Sequence, residues 1–145
     1  MDLINNIKNI KSRPTWNEYF ITVAYLISSR SSSKKLKVGA VIVKDNRIIS
    51  TGYNGFFSGV EHNSISYNGH EINTIHAEMN AIDDSAKRGV SIKEGSIYVT
   101  HYPCIYCLKN IIGCGLKKIY YKEDYNNNKI CELLIKQSGI KIIKL

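Results

Sequence analysis

Two short segments, residues 74–78 and 103–107, constrain the fold of this chain more than any other feature of its sequence. The first segment contains His76, and the second contains Cys104 and Cys107 with two residues between the cysteines. One imidazole and two thiolates form a donor set that holds zinc while a fourth position stays open for water. If these three side chains bind one zinc ion, the fold must place the beginnings of the two segments next to each other.

Both segments lie where the sequence predicts the start of a helix. We expect one helix over residues 76–88, ended by Gly89, and another over residues 104–112, which follows Pro103. A short strand is expected between them, over residues 96–100. A helix–strand–helix connection can place both helix starts at one edge of a sheet, where the exposed backbone amides stabilise thiolates.

Glu78 adds acid–base chemistry to the expected metal site, because it follows His76 by two residues on the first helical turn. Zinc lowers the pKa of bound water to about 7, and a nearby carboxylate can take the proton and pass it to a leaving group. His-x-Glu followed by Pro-Cys-x-x-Cys is the signature of zinc deaminases. The resemblance of this chain to that signature implies a zinc-dependent deaminase with Glu78 as its catalytic residue. The non-enzymatic alternative is a zinc-stabilised nucleotide-binding module.

The rest of the chain predicts alternating helices and strands. Thr15 and Glu18 have the form of a capping box that opens the first predicted helix. The other expected elements are hairpin strands over 38–43 and 48–51, a long loop over 55–75, a strand over 118–121, a helix over 127–137 and a last strand over 140–144. Because helices separate the later strands, we expect an α/β fold in which helices cover both faces of a mixed five-stranded sheet, in one domain over residues 1–145.

The composition fits a globular chain and narrows the range of partners. Its 145 residues are 43% hydrophobic and 22% charged, which is enough to bury a core. There is no apolar run of about 20 residues and no basic start followed by an apolar stretch, so we expect a cytoplasmic protein without a membrane partner. The formal charge of +8 favours anionic partners such as nucleotides. The lysines and the ten tyrosines are scattered, which argues against a nucleic-acid groove.

Five segments carry a resemblance to a known family: residues 13–20, 38–43, 52–55, 76–82 and 103–107. They read Arg-Pro-Thr-Trp-Asn-Glu-Tyr-Phe, Val-Gly-Ala-Val-Ile-Val, Gly-Tyr-Asn-Gly, His-Ala-Glu-Met-Asn-Ala-Ile and Pro-Cys-Ile-Tyr-Cys. With them the chain resembles the deoxycytidylate deaminase family, within the cytidine deaminase superfamily. The resemblance implies a three-layer α-β-α cytidine-deaminase-like fold. It also implies hydrolysis of deoxycytidine monophosphate (dCMP) to deoxyuridine monophosphate (dUMP), a precursor for thymidylate synthesis.

The resemblance further implies roles for individual residues. The implied zinc ligands are His76, Cys104 and Cys107, and Glu78 is the implied proton shuttle. The implied substrate contacts are Asn54 to the sugar or phosphate, the Ala77 amide to the ring carbonyl, and Tyr53 in the same nucleotide loop.

Two more substrate contacts are expected from chemistry. A 5′-phosphate calls for cations or helix amides, so Lys37 is a candidate, with Arg30 and Lys35 as alternatives; a solvated loop is the competing interpretation. Tyr120 is a candidate to stack on the cytosine ring or contact its edge, and the competing interpretation is a core aromatic. Deoxycytidine triphosphate (dCTP), free cytidine and an adenine in tRNA remain alternative substrates.

The family's assembly and regulation complete the expectations: a homohexamer, with dCTP as activator, thymidine triphosphate (dTTP) as inhibitor, and Mg²⁺ accompanying the effector. Residues 56–75 depart from the usual family sequence, which leaves this regulation open. A second zinc site at His62 and His70 is not expected, because no cysteine precedes Cys104. The other reactive side chains are expected to be structural, namely His101 and the thiols of Cys114 and Cys131.

Overall fold

The structure is a computed structural model that describes residues 2–145. The helices in that range are α1 (Leu3–Lys8), α2 (Trp16–Ser28), α3 (Ala77–Lys87), α4 (Ile105–Gly113) and α5 (Lys129–Ser138). The strands are β1 (Gly39–Lys44), β2 (Arg47–Tyr53), β3 (Gly55–Phe56), β4 (Ser66–Tyr67), β5 (His70–Glu71), β6 (Thr74–Ile75), β7 (Ser96–His101), β8 (Lys118–Glu123) and β9 (Lys141–Lys144). Within residues 2–145, no helix has the length and apolar character needed to cross a membrane.

The main sheet has five strands in the order β2-β1-β7-β8-β9. β1 runs antiparallel to both β2 and β7, whereas β7, β8 and β9 run parallel to one another. Asp45 and Asn46 connect β1 to β2 with φ angles of 51° and 56°, as in the two-residue hairpin turn that matches strand twist. The expected mixed five-stranded sheet is confirmed.

Alternating side chains of β1 separate two layers of helices. Ala40 and Ile42 are fully buried in a cluster on one face, together with residues of α3, α4 and α5. Val41 and Val43 belong to a second cluster on the other face, with Phe20 of α2. Helices therefore cover both faces of the sheet, which confirms the expected three-layer architecture.

A glycine lets α3 approach β2 closely. A Cβ atom at Gly52 would overlap the backbone of Ala77 and Ala81, so a larger residue could not occupy this position without moving the helix. Ala77 and Ala81 are themselves fully buried. The first turn of α3 consequently lies directly against the sheet, and this contact fixes the position of the residues at its start.

Residues 55–75 are more ordered than the long loop predicted from the sequence. β3 pairs with β6, and β4 pairs with β5 around Asn68 and Gly69, whose φ angles are 49° and 76°. Strands of two residues have no periodicity by which to recognise them, although Asn-Gly is a strong hairpin signal. The sequence interpretation also missed α1, a short exposed helix capped by the side chain of Asp2, which accepts the N–H of Asn5 at 3.0 Å.

Candidate active site

The expected metal ligands lie at two helix starts near one edge of the sheet. His76 and Cys104 are the extended residues that immediately precede α3 and α4, and these two helices contact each other. After β7, the backbone N–H of Tyr102 donates to the carbonyl of Glu123 at the end of β8 (2.8 Å). This bond ties the segment that leads to Cys104 to the carboxyl edge of the parallel strands.

The three expected ligand atoms converge. His76 Nδ1 lies 3.5 Å from Cys104 Sγ and 3.4 Å from Cys107 Sγ. All three atoms are within 4.8 Å of one another. Tetrahedral zinc with ordinary Zn–N and Zn–S bond lengths separates nitrogen from sulfur by about 3.5 Å, so these residues fit zinc. In the part of the chain that the structure describes, no other group of three His, Cys, Asp or Glu side chains is close enough to hold a metal.

Hydrogen bonding within the ligand set already favours one thiolate. The hydrogen bond from the Cys107 thiol lowers the pKa of Cys104 to about 4, with further help from the His76 ring. The same bond and burial raise the pKa of Cys107. The bond to Cys104 also raises the pKa of His76. The two cysteines, Cys104 and Cys107, therefore hold one proton between them. Metal binding requires that proton to leave.

Glu78 is the buried acid of the site. It lies on the first turn of α3 and is only 5% exposed. Burial raises its pKa, although its own backbone amide and the positive charge of His76 act in the opposite direction. A carboxyl group with a raised pKa exchanges protons more readily near neutral pH, as a general acid–base group must.

A cavity of about 200 Å³ opens onto these groups. It is lined by Leu36, Val38, Asn54, His76, Ala77, Glu78, His101, Tyr102, Cys104 and Tyr125, and we call it the ligand pocket. Ala77 is fully buried and is the first residue of α3, so its backbone N–H has no partner within the helix. That N–H is therefore free to donate a hydrogen bond to a carbonyl oxygen of a bound ring.

Asn54 holds one wall of the ligand pocket in place. Its Nδ2 donates to the carbonyl of Leu36 and its Oδ1 accepts the N–H of Val38, both at 2.8 Å. The hydroxyl of Ser31 donates to the Asn54 carbonyl (2.7 Å). One N–H of the Asn54 amide remains for a ligand, so the residue supports the wall and can also bind.

The structure does not bring three of the expected substrate contacts to the ligand pocket. The Tyr53 carbonyl accepts the side-chain amide of Asn80 (3.0 Å), and the Tyr53 ring is not part of the lining. Lys37 is exposed between two residues that do line the pocket, because successive residues of an extended segment point to opposite sides. Tyr120 stacks on Tyr98 (4.5 Å between ring centroids) in the cluster on the α2 face of the sheet, so its competing interpretation as a core aromatic is the one the structure supports.

The sequence interpretation missed His101 and Tyr125 as pocket residues. Both follow the general rule that ligands of α/β sheets bind at the carboxyl ends of parallel strands, since His101 ends β7 and Tyr125 lies just beyond β8. Their rings meet edge to face, with centroids 6.3 Å apart at 84°.

A second, larger cavity of about 620 Å³ lies on the other side of Asn54. Its lining includes Lys34 and Lys35 with two serines, Ser32 and Ser33, whereas Arg30 is not part of it. Of the three cations considered for the phosphate, Lys35 is therefore the one that faces a cavity. His62, also in this lining, stacks on Phe56 (4.9 Å).

Comparison with known proteins agrees with this site. The model of the cytidine and deoxycytidylate deaminase zinc-binding region matches residues 14–123. ComE operon protein 2 of Bacillus subtilis is 44% identical over 134 residues, which cover 90% of this chain and 71% of that protein. The deoxycytidylate deaminase of Schizosaccharomyces pombe is 32% identical over 169 residues, and the match covers 97% of this chain but only 52% of the yeast protein.

A solved structure shows the same architecture. The dCMP deaminase of the cyanophage S-TIM5, in complex with dCMP and dUMP, superposes with a TM-score of 0.82 at 34% sequence identity. The match covers 92% of this chain and 99% of the phage chain. The family model, these relatives and the converging donor set lead to one conclusion: the chain belongs to the family of cytidine and deoxycytidylate deaminases.

Proposed function

We propose that this protein is a zinc-dependent deaminase that hydrolyses dCMP to dUMP and ammonia, and so supplies a precursor for thymidylate synthesis. The observation that carries the proposal is the burial of Glu78 beside a set of three ligands, His76, Cys104 and Cys107. Proton transfer requires a carboxyl group such as Glu78, which is buried and has a raised pKa. A purely structural zinc site does not require one.

The metal ligands, Glu78 and Ala77 have separate roles in the proposed reaction. When bound by His76, Cys104 and Cys107, zinc supplies Lewis-acid activation of the attacking water. The Glu78 carboxylate accepts one proton from that water and delivers it to the ring nitrogen beside the reacting carbon. It then takes the second proton, from the new hydroxyl group on that carbon, and passes it to the 4-amino group, which leaves as ammonia as the C–N bond breaks and the carbonyl forms. The Ala77 amide holds the ring carbonyl and so orients the base.

The choice of dCMP rests on the relatives and on the chemistry next to the pocket. The cyanophage deaminase was solved with dCMP and dUMP bound. In this chain, Lys34 and Lys35 supply positive charge on the far side of Asn54, where a 5′-phosphate would extend from a base held at Glu78.

A substrate panel tests the proposal. The zinc-loaded protein is mixed separately with dCMP, dCTP, cytidine monophosphate, deoxycytidine, cytidine and tRNA, and the release of ammonia is measured. We expect kcat/KM for dCMP to exceed that for deoxycytidine by at least about tenfold, because a charge-assisted contact to the phosphate is lost with the nucleoside. Equal rates for the two would remove phosphate recognition, and activity on tRNA alone would overturn the choice of substrate.

A triphosphate substrate is the competing function, and one observation favours it. The larger cavity, at about 620 Å³, offers more space than a single phosphate needs, and two lysines line it. If dCTP has the higher kcat/KM in the panel, this function replaces the first. A non-catalytic zinc module predicts no ammonia from any substrate.

The proposal extends to assembly and regulation as the family resemblance implies them. It comprises a homohexamer, dCTP and dTTP as effectors with Mg²⁺, and a cytoplasmic location where nucleotides are made. Light scattering of the purified protein measures the assembly. Assays of dCMP turnover with each triphosphate, with and without Mg²⁺, measure the regulation, and unchanged rates would remove it.

A further inference from the structure

His101 lines the ligand pocket, and the reaction described above gives it no role. It ends β7, is partly buried, and is not a member of the three-ligand metal group. Its Nδ1 lies 2.8 Å from the Thr100 hydroxyl oxygen. The direction of that hydrogen bond decides which ring nitrogen of His101 carries the proton.

The surroundings of Thr100 fix this direction. Thr100 is fully buried, and its hydroxyl oxygen accepts the backbone N–H of Gly39 at 3.2 Å. A buried hydroxyl proton without an acceptor is costly, so the hydroxyl must also donate. Among residues 2–145, the acceptor that the hydroxyl reaches is His101 Nδ1. Thr100 therefore donates to Nδ1, and Nδ1 carries no proton of its own.

A neutral imidazole whose Nδ1 is an acceptor carries its proton on Nε2. Burial lowers the pKa of His101, against the opposing influence of Glu123, and this favours the neutral ring. The relay from the Gly39 amide through Thr100 thus leaves His101 with one donor, Nε2–H. The Tyr125 ring lies edge to face with the His101 ring, with centroids 6.3 Å apart.

We propose that Nε2–H of His101 donates a hydrogen bond to the phosphate or to the 3′-hydroxyl group of the substrate, and that Thr100 is the positioning residue that keeps this donor in place. The inference rests on the proposed function, because it needs a cytosine nucleotide in the ligand pocket. The reacting amino group must lie at Glu78 and the metal ligands, and the ring carbonyl at Ala77. The sugar and phosphate must then pass through the rest of the ligand pocket, whose partly exposed lining includes both His101 and Asn54.

Two polar substitutions test the donor without removing a large side chain. In His101→Gln the side-chain amide reaches the position of Nε2, whereas in His101→Asn it reaches only that of Nδ1. We expect His101→Asn to raise KM for dCMP about tenfold and His101→Gln to stay within about twofold of the parent protein. A matched control is His70→Gln, an exposed histidine in β5 outside both the ligand pocket and the larger cavity.

Three substrates identify the oxygen that is bound. The substrates are dCMP, deoxycytidine and 2′,3′-dideoxycytidine monophosphate, and the penalty is the rise in KM caused by His101→Asn. This rise disappears with deoxycytidine if the acceptor is the phosphate. It disappears with 2′,3′-dideoxycytidine monophosphate if the acceptor is the 3′-hydroxyl group. Either result supports the proposal. A penalty of equal size on all three substrates, or no penalty on any, overturns it.

Thr100 is tested by its own pair of variants. Thr100→Val removes the hydroxyl, and Thr100→Ser retains it. We expect Thr100→Val to raise KM with kcat nearly unchanged and Thr100→Ser to restore KM, a split that a general loss of stability would not produce. If both variants lower kcat and KM is unchanged, Thr100 does not position the donor.

A measurement independent of turnover separates this inference from the proposed function. Long-range proton–nitrogen NMR spectra of zinc-loaded protein labelled at histidine report the tautomer of each ring, and His101→Gln assigns the signal. We expect the Nε2–H tautomer for His101, lost in Thr100→Val. An Nδ1–H tautomer overturns the relay even in an active enzyme. If no cytosine compound is turned over while the Nε2–H tautomer is found, the proposed function fails and the assigned substrate contact fails with it.

Discussion

The inner end of the ligand pocket and the outer segment, residues 57–72 beside the larger cavity, are built in contrasting ways. At the inner end His76, Glu78 and Cys104 stand at the starts of two helices packed against a sheet, and Glu78 is almost fully buried. The outer segment is exposed throughout and contains only strands of two residues. Under the proposed function, proton transfer takes place at well-packed helix starts, whereas the segment beside the larger cavity has little buried surface.

One exposed carboxylate organises much of the outer segment. Glu71 accepts the backbone N–H groups of Ile65 and Asn73 at 3.0 and 3.1 Å, and also the hydroxyl of Ser64. These bonds lower the pKa of Glu71, the bond from Ser64 most of all. A segment held mainly by exposed hydrogen bonds opens more easily than a packed helix. Substitutions at the inner end should therefore abolish turnover, whereas those further out should change KM.

The largest effect is expected from loss of a metal ligand. Cys107→Ser removes a sulfur that no other residue in the group can replace, so we expect zinc content to fall well below one ion per chain and turnover to become undetectable. The matched control is Cys114→Ser, whose partly buried sulfur donates to the carbonyl of Ile111 outside the site. Metal analysis and ammonia release measure both variants. Full zinc content in Cys107→Ser would contradict the ligand assignment.

Glu78→Gln should come next, because it keeps the shape of the side chain and removes its proton transfer. We expect kcat to fall by about 10²–10⁴-fold while zinc stays bound. Glu94→Gln is the control, since Glu94 is an exposed carboxylate that pairs with Lys117 far from the pocket. Substantial ammonia release by zinc-loaded Glu78→Gln would refute the role of Glu78 as proton shuttle.

Asn54 lies between the two regions and should show an intermediate effect. Asn54→Ala removes the bonds to Leu36 and Val38, which we expect to cost about 1–3 kcal/mol in the free energy of unfolding and to raise KM for dCMP. Asn110→Ala serves as the control, because Asn110 makes one exposed bond to the Tyr106 carbonyl on α4. Denaturant titration and steady-state kinetics measure the two consequences. A loss of kcat with unchanged KM would contradict the position of Asn54 on the substrate side.

The pKa of Glu78 predicts a pH dependence of stability in the metal-free protein. A carboxyl group whose pKa is higher in the folded state contributes most below its unfolded pKa, and that contribution is lost as pH rises through the folded pKa. Glu78→Gln cannot ionise and escapes this loss, so we expect it to be more stable than the parent protein at neutral pH, by an amount on the order of 1 kcal/mol. Chemical denaturation at several pH values measures the difference. The difference should shrink as pH falls below 4.5, the ordinary pKa of a glutamate; a difference independent of pH would show that Glu78 is not the titrating group.

The inner end could be predicted from the sequence, and much of the outer wall could not, for a physical reason. His76, Glu78 and Cys104 lie in two contiguous motifs, and a helix start places its neighbours in a fixed way. Lys37 and Tyr120 lie in extended segments, where alternation separates two sides but does not tell which side faces a ligand. The deciding contacts join distant parts of the chain and leave no local signal.

His101 illustrates the same limit. Its environment depends on the bond between Thr100 and Gly39, residues 61 positions apart in the sequence. A histidine beside a metal motif has the same local sequence whether it packs in the core or lines a pocket. Only the register of β1 against β7, which pairs Ala40 with Val99, brings the two strands together at this point.

The smallest expected effect compares Tyr120, in the cluster beneath α2, with Tyr125, which lines the ligand pocket. Tyr120→Leu removes the stacking on Tyr98 in the cluster beneath α2, so we expect a loss of about 0.5–1.5 kcal/mol in stability and no change in KM. Tyr125→Leu removes a ring that is 50% exposed and lines the ligand pocket, so KM should rise while stability changes little. Thermal unfolding and dCMP kinetics on both variants test the contrast. A higher KM in Tyr120→Leu alone would mean that the cytosine ring is recognised through the α2 face, and the assignment of the ligand pocket would have to be abandoned.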